Sequence, residues 1–126
     1  GGKAAPACGF AIGVERIVLL MKEYQFVAPA RPTDAYIVHV GGGTAAQALR
    51  LAESLRDAGL IVLMHAGGGN IKTQMKKADA SGARFAIIIG PEELAAGEVS
   101  LKPLREADAQ VRVAPARVAG IIQQRA

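Results

Sequence analysis

The chain is poor in cysteine and in aromatic side chains, and it has no tryptophan. Cys8 is the single cysteine in 126 residues, which excludes an internal disulfide and favours a reducing, cytoplasmic setting. Two Tyr and three Phe provide no obvious platform for stacking nucleic-acid bases. The two histidines, His39 and His65, stand apart from any zinc-binding pattern, so the sequence predicts no metal site.

Long apolar runs and a strong charge are also missing. No run is long enough to cross a bilayer, and the first residues lack the layout of a signal peptide, so we expect no membrane partner. The net charge of +4 and the pI of about 9.6 are compatible with a nucleic-acid or phosphate ligand. Many basic domains merely carry solvated lysines, so the charge alone does not decide between these interpretations.

Three nearly continuous apolar runs predict strands. They cover residues 35–40, 60–64 and 85–89. Segments with helical periodicity follow the first two runs: one begins at Thr44, with Gln47 placed to complete a capping box, and the other covers 71–81. Continuous apolar strands that alternate with helices are typical of parallel β-α-β units whose sheet is covered on both faces.

The pattern changes after the third strand. Residues 98–102 and 110–113 alternate polar with apolar side chains, which predicts a half-buried, antiparallel pair near the edge of the sheet. Pro115 opens a closing helix that runs to about residue 125. The sequence therefore predicts an α/β fold for residues 35–126, a three-layer arrangement in which helices flank a mixed five-stranded sheet.

The residues before this domain look like an incomplete unit. Residues 1–24 predict a strand at 7–12 and a helix at 13–24 with one apolar stripe. The apolar stripe consists of Val14, Ile17, Val18 and Met21. A lone strand and helix cannot bury it, so we expect it to stay partly uncovered and to favour self-association. Residues 25–34 contain Pro29 and Pro32 and are predicted to form a linker.

Three consecutive glycines, 67–69, follow the second predicted strand and lead into a capping Asn70 and a lysine-bearing helix. The start of a helix offers free N–H groups and a partial positive charge, and Lys72 and Lys76 share one helix face. Three interpretations stay open. The glycines can cradle phosphate, although the P-loop and G-x-G-x-x-G orders are absent; they can form a tight turn with close helix–strand packing; or they can contact the bases of an RNA loop.

Two segments of the chain are similar to motifs of one family. The segment GFAIGVERI at 9–17 resembles motif 3 of class II aminoacyl-tRNA synthetases in its histidyl form. The segment GGGNIKTQ at 67–74, with Ala78 and Asp79, resembles the glycine-rich signature of the histidyl-tRNA synthetase anticodon-binding domain. PEELAAGEV at 91–99 is similar to the turn before the fourth strand of that domain.

The order and spacing of these segments also fit, so the resemblance covers essentially the whole chain. It implies that residues 1–24 are a strand–helix remnant of the class II catalytic domain and that 35–126 form the anticodon-binding domain. Motifs 1 and 2 and the histidine-recognising segments are absent, so the chain resembles a C-terminal fragment of a bacterial-type enzyme.

The resemblance implies an ATP contact in the parent enzyme. The motif 3 arginine of the family contacts ATP phosphate, and the matching residues here are Gly9, Gly13 and Arg16. A guanidinium can neutralise phosphate charge and bond several of its oxygens. The parent would be a homodimer that uses ATP and Mg to attach histidine to its tRNA. One arginine cannot assemble that pocket, so we expect no cofactor, no catalytic residue and no ATP–pyrophosphate exchange in this chain alone.

The resemblance also implies contact with the anticodon loop of histidine tRNA. The candidate contacts are Gly68, Gly69, Asn70, Lys72, Gln74, Lys76 and Lys77, together with Glu93, Lys102 and Arg105 around the fourth strand. Lysines there would hold phosphates without specifying sequence, whereas a carboxylate such as Glu93 can accept hydrogen bonds from guanine. A solvated helix face is the simpler interpretation of some of the lysines. His39 is interpreted as a packed histidine, and His65, beside the glycines, as a possible contact.

Three functions follow from these features. The first is a non-catalytic tRNA-binding module of a histidine–tRNA ligase, the second a flavodoxin-like domain for a nucleotide or phosphate ligand, and the third a structural dimerisation piece. The last two strands separate the first two functions. An antiparallel pair supports the anticodon-binding domain, and five parallel strands would support the flavodoxin-like domain.

Overall fold

The computed structural model of the chain describes residues 2–27 and 31–125. They fall into two compact units, Gly1–Ala30 and Arg31–Ala126. The predicted linker at 25–34 spans the boundary between the units, and its residues 28–30 lie outside the described part of the chain.

In the first unit the regular element is helix α1 (Val14–Glu23). None of its residues is buried, and Val14, Ile17 and Val18 of the apolar stripe are 68%, 46% and 43% exposed. The expectation that this stripe stays partly uncovered is confirmed. The predicted strand at 7–12 is wrong, because these residues have no regular structure. A strand needs a neighbour for its N–H and C=O groups, and residues 2–27 contain no other strand.

Cys8 lies in the same irregular segment. Its side chain is free and exposed. All residues of the irregular segment 2–13 are exposed, Cys8 among them.

The second unit contains nine regular elements among residues 31–125. In chain order they are β1 (Ala35–His39), α2 (Thr44–Asp57), β2 (Val62–Met64), α3 (Ile71–Ala80), β3 (Phe85–Ile89), α4 (Pro91–Ala96), β4 (Val99–Pro103), β5 (Val111–Val113) and α5 (Pro115–Gln124). The short helix α4 replaces the turn that was predicted before the fourth strand. Pro91 at its first position and Gly97 at its C-terminal cap bound it.

The five strands form one mixed sheet in the order β2-β1-β3-β4-β5. β1 runs parallel to β2 and β3, whereas β4 runs antiparallel to both β3 and β5. The predicted mixed sheet and its antiparallel edge pair are therefore confirmed. The five parallel strands of the flavodoxin-like alternative are not present, so that alternative is wrong.

The alternation of side chains along the strands divides the core between two faces of the sheet. α2 and α5 pack on one face, where Ile37, Phe85, Ile87 and Leu101 are buried. α3 packs on the other face through Ala78 and Met75, against a smaller set of strand residues. That set consists of Tyr36, Val38, Ala86 and Ile88. This set includes no residue of β4 or β5, so α3 does not cover these two strands.

The start of α2 differs from the prediction. Gly43, in a left-handed conformation with φ of 81°, is the N-terminal cap, and Thr44 is already helical. The Thr44 hydroxyl donates to the carbonyl oxygen of Gly41 at 2.8 Å, so it does not form a capping box with Gln47. A glycine can take up the left-handed conformation at little cost, which moves the cap one residue towards the N-terminus.

No helix within the described ranges has the length and apolar character needed to span a membrane.

Candidate nucleic-acid interface

Because β1, β2 and β3 are parallel, their carboxyl ends lie at the same edge of the sheet. The glycines at 67–69 follow β2, and α4 follows β3. In open α/β sheets, ligands bind in the crevice outside this edge, where neighbouring crossovers leave on opposite faces. α2 and α3 do leave β1 and β2 on opposite faces. The topology therefore places the glycines at a position that favours ligand binding.

The three glycines form an exposed turn, called the glycine turn below. Gly67 and Gly69 have φ of +101° and +115°, values that side chains with a Cβ rarely adopt. A Cβ built at any of the three would meet no atom within 4 Å. The backbone conformation therefore favours glycine at positions 67 and 69. The close helix–strand packing that was one of the three interpretations is not found at these glycines.

Asn70 ends the turn and caps α3. Its Oδ1 accepts a hydrogen bond from the backbone N–H of Thr73 at 2.9 Å, as predicted for a capping residue. The backbone N–H groups of Gly67, Gly68, Gly69 and Asn70 donate to no acceptor within the described residues. The turn and the helix start thus present several free donors to solvent.

Beneath the glycine turn lies a group of polar side chains, buried except for the half-buried His39, which is called the polar cluster below. It consists of Tyr36, His39, His65 and Gln74. Gln74 is 1% exposed and His65 is 2% exposed. The amide of Gln74 and the ring of His65, both expected from the sequence to be surface contacts, thus face the protein interior and are hydrogen-bonded there.

Three lysines of α3 are exposed, as predicted. Lys72, Lys76 and Lys77 all lie on the solvent side, whereas Gln74 and Ala78 of the same helix are buried. Lys72 lies in the first turn of α3, directly after the glycine turn, and Lys76 is one helical turn further along the same face, so both positive charges lie on the part of α3 that follows the free N–H groups.

A second basic region lies on the same face of the sheet as α3. Lys102 pairs with Ala86, and Ser100 pairs with Ile88, so both side chains point to the α3 side. Arg112 pairs with Ser100 on the edge strand β5 and lies on the same face. Arg112 was not among the residues predicted from the sequence. The polar–apolar alternation at 110–113 could have identified it as facing away from the core.

Glu93 lies next to Ser100 and Arg112 and is largely buried, with 9% of the residue exposed. Its Oε1 accepts from the Ser100 hydroxyl at 2.8 Å, and its Oε2 accepts from the backbone N–H of Gly90 at 3.0 Å. Arg112 approaches Oε1 at 3.7 Å. The candidate anticodon contact Glu93 is therefore engaged within the protein.

The carboxyl of Glu93 has a pKa below its usual 4.5. Burial acts in the opposite direction, but the Ser100 hydroxyl, the backbone N–H groups of Glu93 and Gly90, and the charge of Arg112 together lower it. In turn, Arg112 has a raised pKa because Glu92 bonds it and Glu93 attracts it. The cluster is thus a charged one at neutral pH.

Arg105 is also engaged within the protein. Its guanidinium bonds the carbonyl oxygen of Ala83 at 3.1 Å and pairs with the carboxylate of Asp79 at 3.1 Å. It thereby ties the segment after β4 to the C-terminal end of α3. Part of the side chain remains exposed, at 44%.

The predicted ATP contacts lie in the first unit. Gly9 is in the irregular segment, Gly13 is the N-terminal cap of α1, and Arg16 lies in its first turn. All three are exposed. No group of three or more His, Cys, Asp or Glu side chains within residues 2–27 and 31–125 is arranged to hold a metal ion. A single exposed arginine does not form a nucleotide pocket.

Comparison with known proteins adds to this geometry. Residues 34–125 match the family described as an anticodon binding domain. The chain is 57% identical over 122 residues to a histidine–tRNA ligase of Nitrosomonas europaea. The aligned region covers 97% of this chain and 29% of that protein. It is also 57% identical over 113 residues to a histidine–tRNA ligase of Methylobacillus flagellatus, covering 90% of this chain and 27% of that protein.

A solved structure agrees with these relatives. The crystal structure of histidyl-tRNA synthetase from Nostoc sp. PCC 7120 superposes with a TM-score of 0.69 at 31% identity, covering 90% of this chain and 28% of that one. The chain thus spans less than a third of the length of the relatives that it matches. Since the family match covers most of the second unit and the sheet has the same architecture, the chain belongs to the anticodon-binding domain family.

Proposed function

We propose that the chain binds the anticodon loop of histidine tRNA, as a non-catalytic module of a histidine–tRNA ligase. The observation that carries the proposal is the exposed glycine turn, whose free N–H groups are followed by Lys72 and Lys76 on α3. Bases of a single-stranded loop can be splayed out and read by such donors. The lysines neutralise phosphates and hold the RNA in place without specifying its sequence.

The contact surface is best supported on the α3 face of the sheet. Gly68, Gly69, Asn70, Lys72 and Lys76 lie at one side of it, and Lys102 continues it on β4. Lys77 extends the positive charge along α3. Glu93 and Arg105 support this surface through their internal bonds, and they contact RNA only with the acceptor and donor positions that these bonds leave free.

The catalytic functions belong, in this proposal, to a whole ligase. There, Gly9, Gly13 and Arg16 would border bound ATP, and the exposed apolar stripe of α1 would be covered by the remainder of such an enzyme or of its homodimer. The proposal assigns no reaction, ATP site or magnesium site to the chain itself. Charge complementarity and hydrogen bonding to RNA are the only chemistry that it requires.

Lys72→Ala is expected to weaken binding of a stem-loop RNA that carries the histidine anticodon by about three- to tenfold, because one charge-assisted contact is lost. The slope of log affinity against log salt should also decrease by about 0.7, the value for one single-strand phosphate contact. Fluorescence titration of the chain with labelled RNA at several salt concentrations measures both quantities.

Arg50→Ala is the matched control, because Arg50 is an exposed cation on α2, on the opposite face of the sheet. It should leave the affinity and the salt slope unchanged. Equal losses for Lys72→Ala and Arg50→Ala would mean that binding follows net charge alone. Unchanged affinity in Lys72→Ala would exclude the start of α3 as the contact surface.

A further inference from the structure

We propose that His65 and Gln74 are positioning residues for RNA binding, which hold the carbonyl groups of Gly68 and Gly69 against the protein and leave the N–H groups of the glycine turn free. The inference rests on the proposed function, since it concerns the same turn. In this proposal the two buried side chains do not touch RNA. They determine the conformation of the turn that the RNA contacts.

His65 fixes the middle of the turn. Its Nε2 lies 3.2 Å from the carbonyl oxygen of Gly68, and its Nδ1 lies 3.0 Å from the hydroxyl of Tyr36. A carbonyl can only accept, so Nε2 carries the hydrogen, and in the neutral ring Nδ1 accepts from Tyr36. Burial raises the pKa of Tyr36 above its usual 10.0, so the hydroxyl keeps the proton that it donates.

Gln74 fixes the end of the turn and joins it to β1. Its Nε2 donates to the carbonyl oxygens of His39 at 2.8 Å and of Gly69 at 3.3 Å. Its Oε1 accepts from the backbone N–H of His39 at 3.0 Å. His39 in turn donates from Nε2 to the carbonyl oxygen of His65 at 3.1 Å. The polar cluster thus bonds three carbonyl groups of the segment 65–69, those of His65, Gly68 and Gly69, to side chains that are themselves part of β1 or bonded to it.

The polar character of the cluster has a physical reason in the turn above it. Three glycines in sequence have no side chains with which to anchor themselves, and glycine has the greatest backbone freedom of all residues. Without bonds to their carbonyl groups, they would sample many conformations, and the RNA would have to order them on binding. Apolar side chains at positions 65 and 74 could fill the same volume but could not provide these bonds.

His65→Leu tests the proposal in the full 126-residue chain. It should lower the affinity for the histidine anticodon stem-loop RNA by about tenfold, since one or two hydrogen bonds to RNA lose their geometry. The NMR order parameters of the Gly67–Gly69 amides, measured without RNA, should fall at the same time. His65→Gln keeps a donor near the position of Nε2 and should restore most of the affinity and of the order.

Two further variants complete the test. Val118→Ala removes a buried side chain on α5, on the opposite face of the sheet, so it destabilises the fold without contacting the turn. At a temperature where His65→Leu and Val118→Ala are both folded, the RNA affinity of Val118→Ala should stay within about twofold of that of the unsubstituted chain. If His65→Leu does not fold, Tyr36→Phe removes only the donor to Nδ1 and should lower the same order parameters and the affinity in the same direction.

Unchanged affinity in a folded His65→Leu or Tyr36→Phe, with the unsubstituted chain binding RNA, would overturn this inference and leave the proposed function in place. An equal loss in Val118→Ala would also overturn it, because the effect would then be one of general stability. If the unsubstituted chain did not bind the RNA, the proposed function would fail, and the inference with it.

Discussion

Gly69→Ala is expected to destabilise the glycine turn by about 1–3 kcal/mol, because φ of +115° at this residue is strained for any residue with a Cβ. The added methyl group meets no atom within 4 Å, so the cost comes from the backbone conformation and not from a clash. The turn can relieve the strain only by rotating its peptide groups, which displaces the free N–H groups. RNA affinity should therefore fall by more than about tenfold.

Gly68→Ala is the matched control for this prediction. Gly68 is the preceding residue, it also has open space where a Cβ would lie, and its φ is not positive. The substitution should leave the unfolding free energy close to that of the original chain, and it should lower the RNA affinity by less than Gly69→Ala does, because it does not strain the backbone of the turn. Chemical denaturation and RNA titration of the two variants provide the comparison. If both bound RNA like the original, the backbone conformation of the turn would have no part in binding.

Glu93→Ala is expected to lower the unfolding free energy by about 1–3 kcal/mol, because the Ser100 hydroxyl and the Gly90 N–H would lose their acceptor inside the protein. Glu92→Ala should have an effect within about 0.5 kcal/mol. Glu92 precedes Glu93 and pairs with the same Arg112, but its side chain is 81% exposed. The two variants thus share a lost charge and differ in the burial of the acceptor.

The pH dependence separates this effect further. The pKa of Glu93 in the folded chain lies below the usual 4.5, so its carboxylate contributes stability that is complete above about pH 4.5. The contribution is lost as the pH falls through the folded pKa. Below pH 4.5 the original chain should therefore lose stability faster than Glu93→Ala, as measured by denaturant midpoints. Parallel curves for the two chains would show that Glu93 is not the group responsible.

Much of the second unit could be predicted from local patterns. The apolar run at 85–89 became β3 with the same bounds, and Asn70 marks the start of α3. In both cases the signal lies within a few neighbouring residues, as hydrophobic periodicity and a capping side chain do. The antiparallel pair β4 and β5 was equally visible from its alternating polarity, but β4 is more buried than predicted, because the Ser100 hydroxyl donates to the buried Glu93.

The support of the candidate site could not be predicted in this way. Gln74 looks like a solvent-facing donor in sequence, yet it is buried because His39, 35 residues earlier, offers it a donor and an acceptor. Glu93 is buried for a similar reason, since Ser100 and Gly90 satisfy its carboxylate. Burial of a polar residue depends on partners that the fold brings together, and local patterns carry no record of them.

The strand predicted at 7–12 failed for the opposite reason. Its apolar residues have the right local pattern, but a strand exists only as part of a sheet, and the described first unit contains no partner for it. The resemblance of residues 9–17 to motif 3 thus identifies a segment by its sequence without determining its conformation in this chain.

The central claim is that RNA meets this chain at the glycine turn and the adjoining α3 face of the sheet. The most direct test is to follow the backbone amide signals of the chain by NMR during titration with the histidine anticodon stem-loop RNA. The account predicts saturable shifts at Gly67–Lys72 and at Lys102, with little change along α5. Shifts confined to α5 and the exposed side of α2, or no saturable shift at the glycine turn, would contradict it.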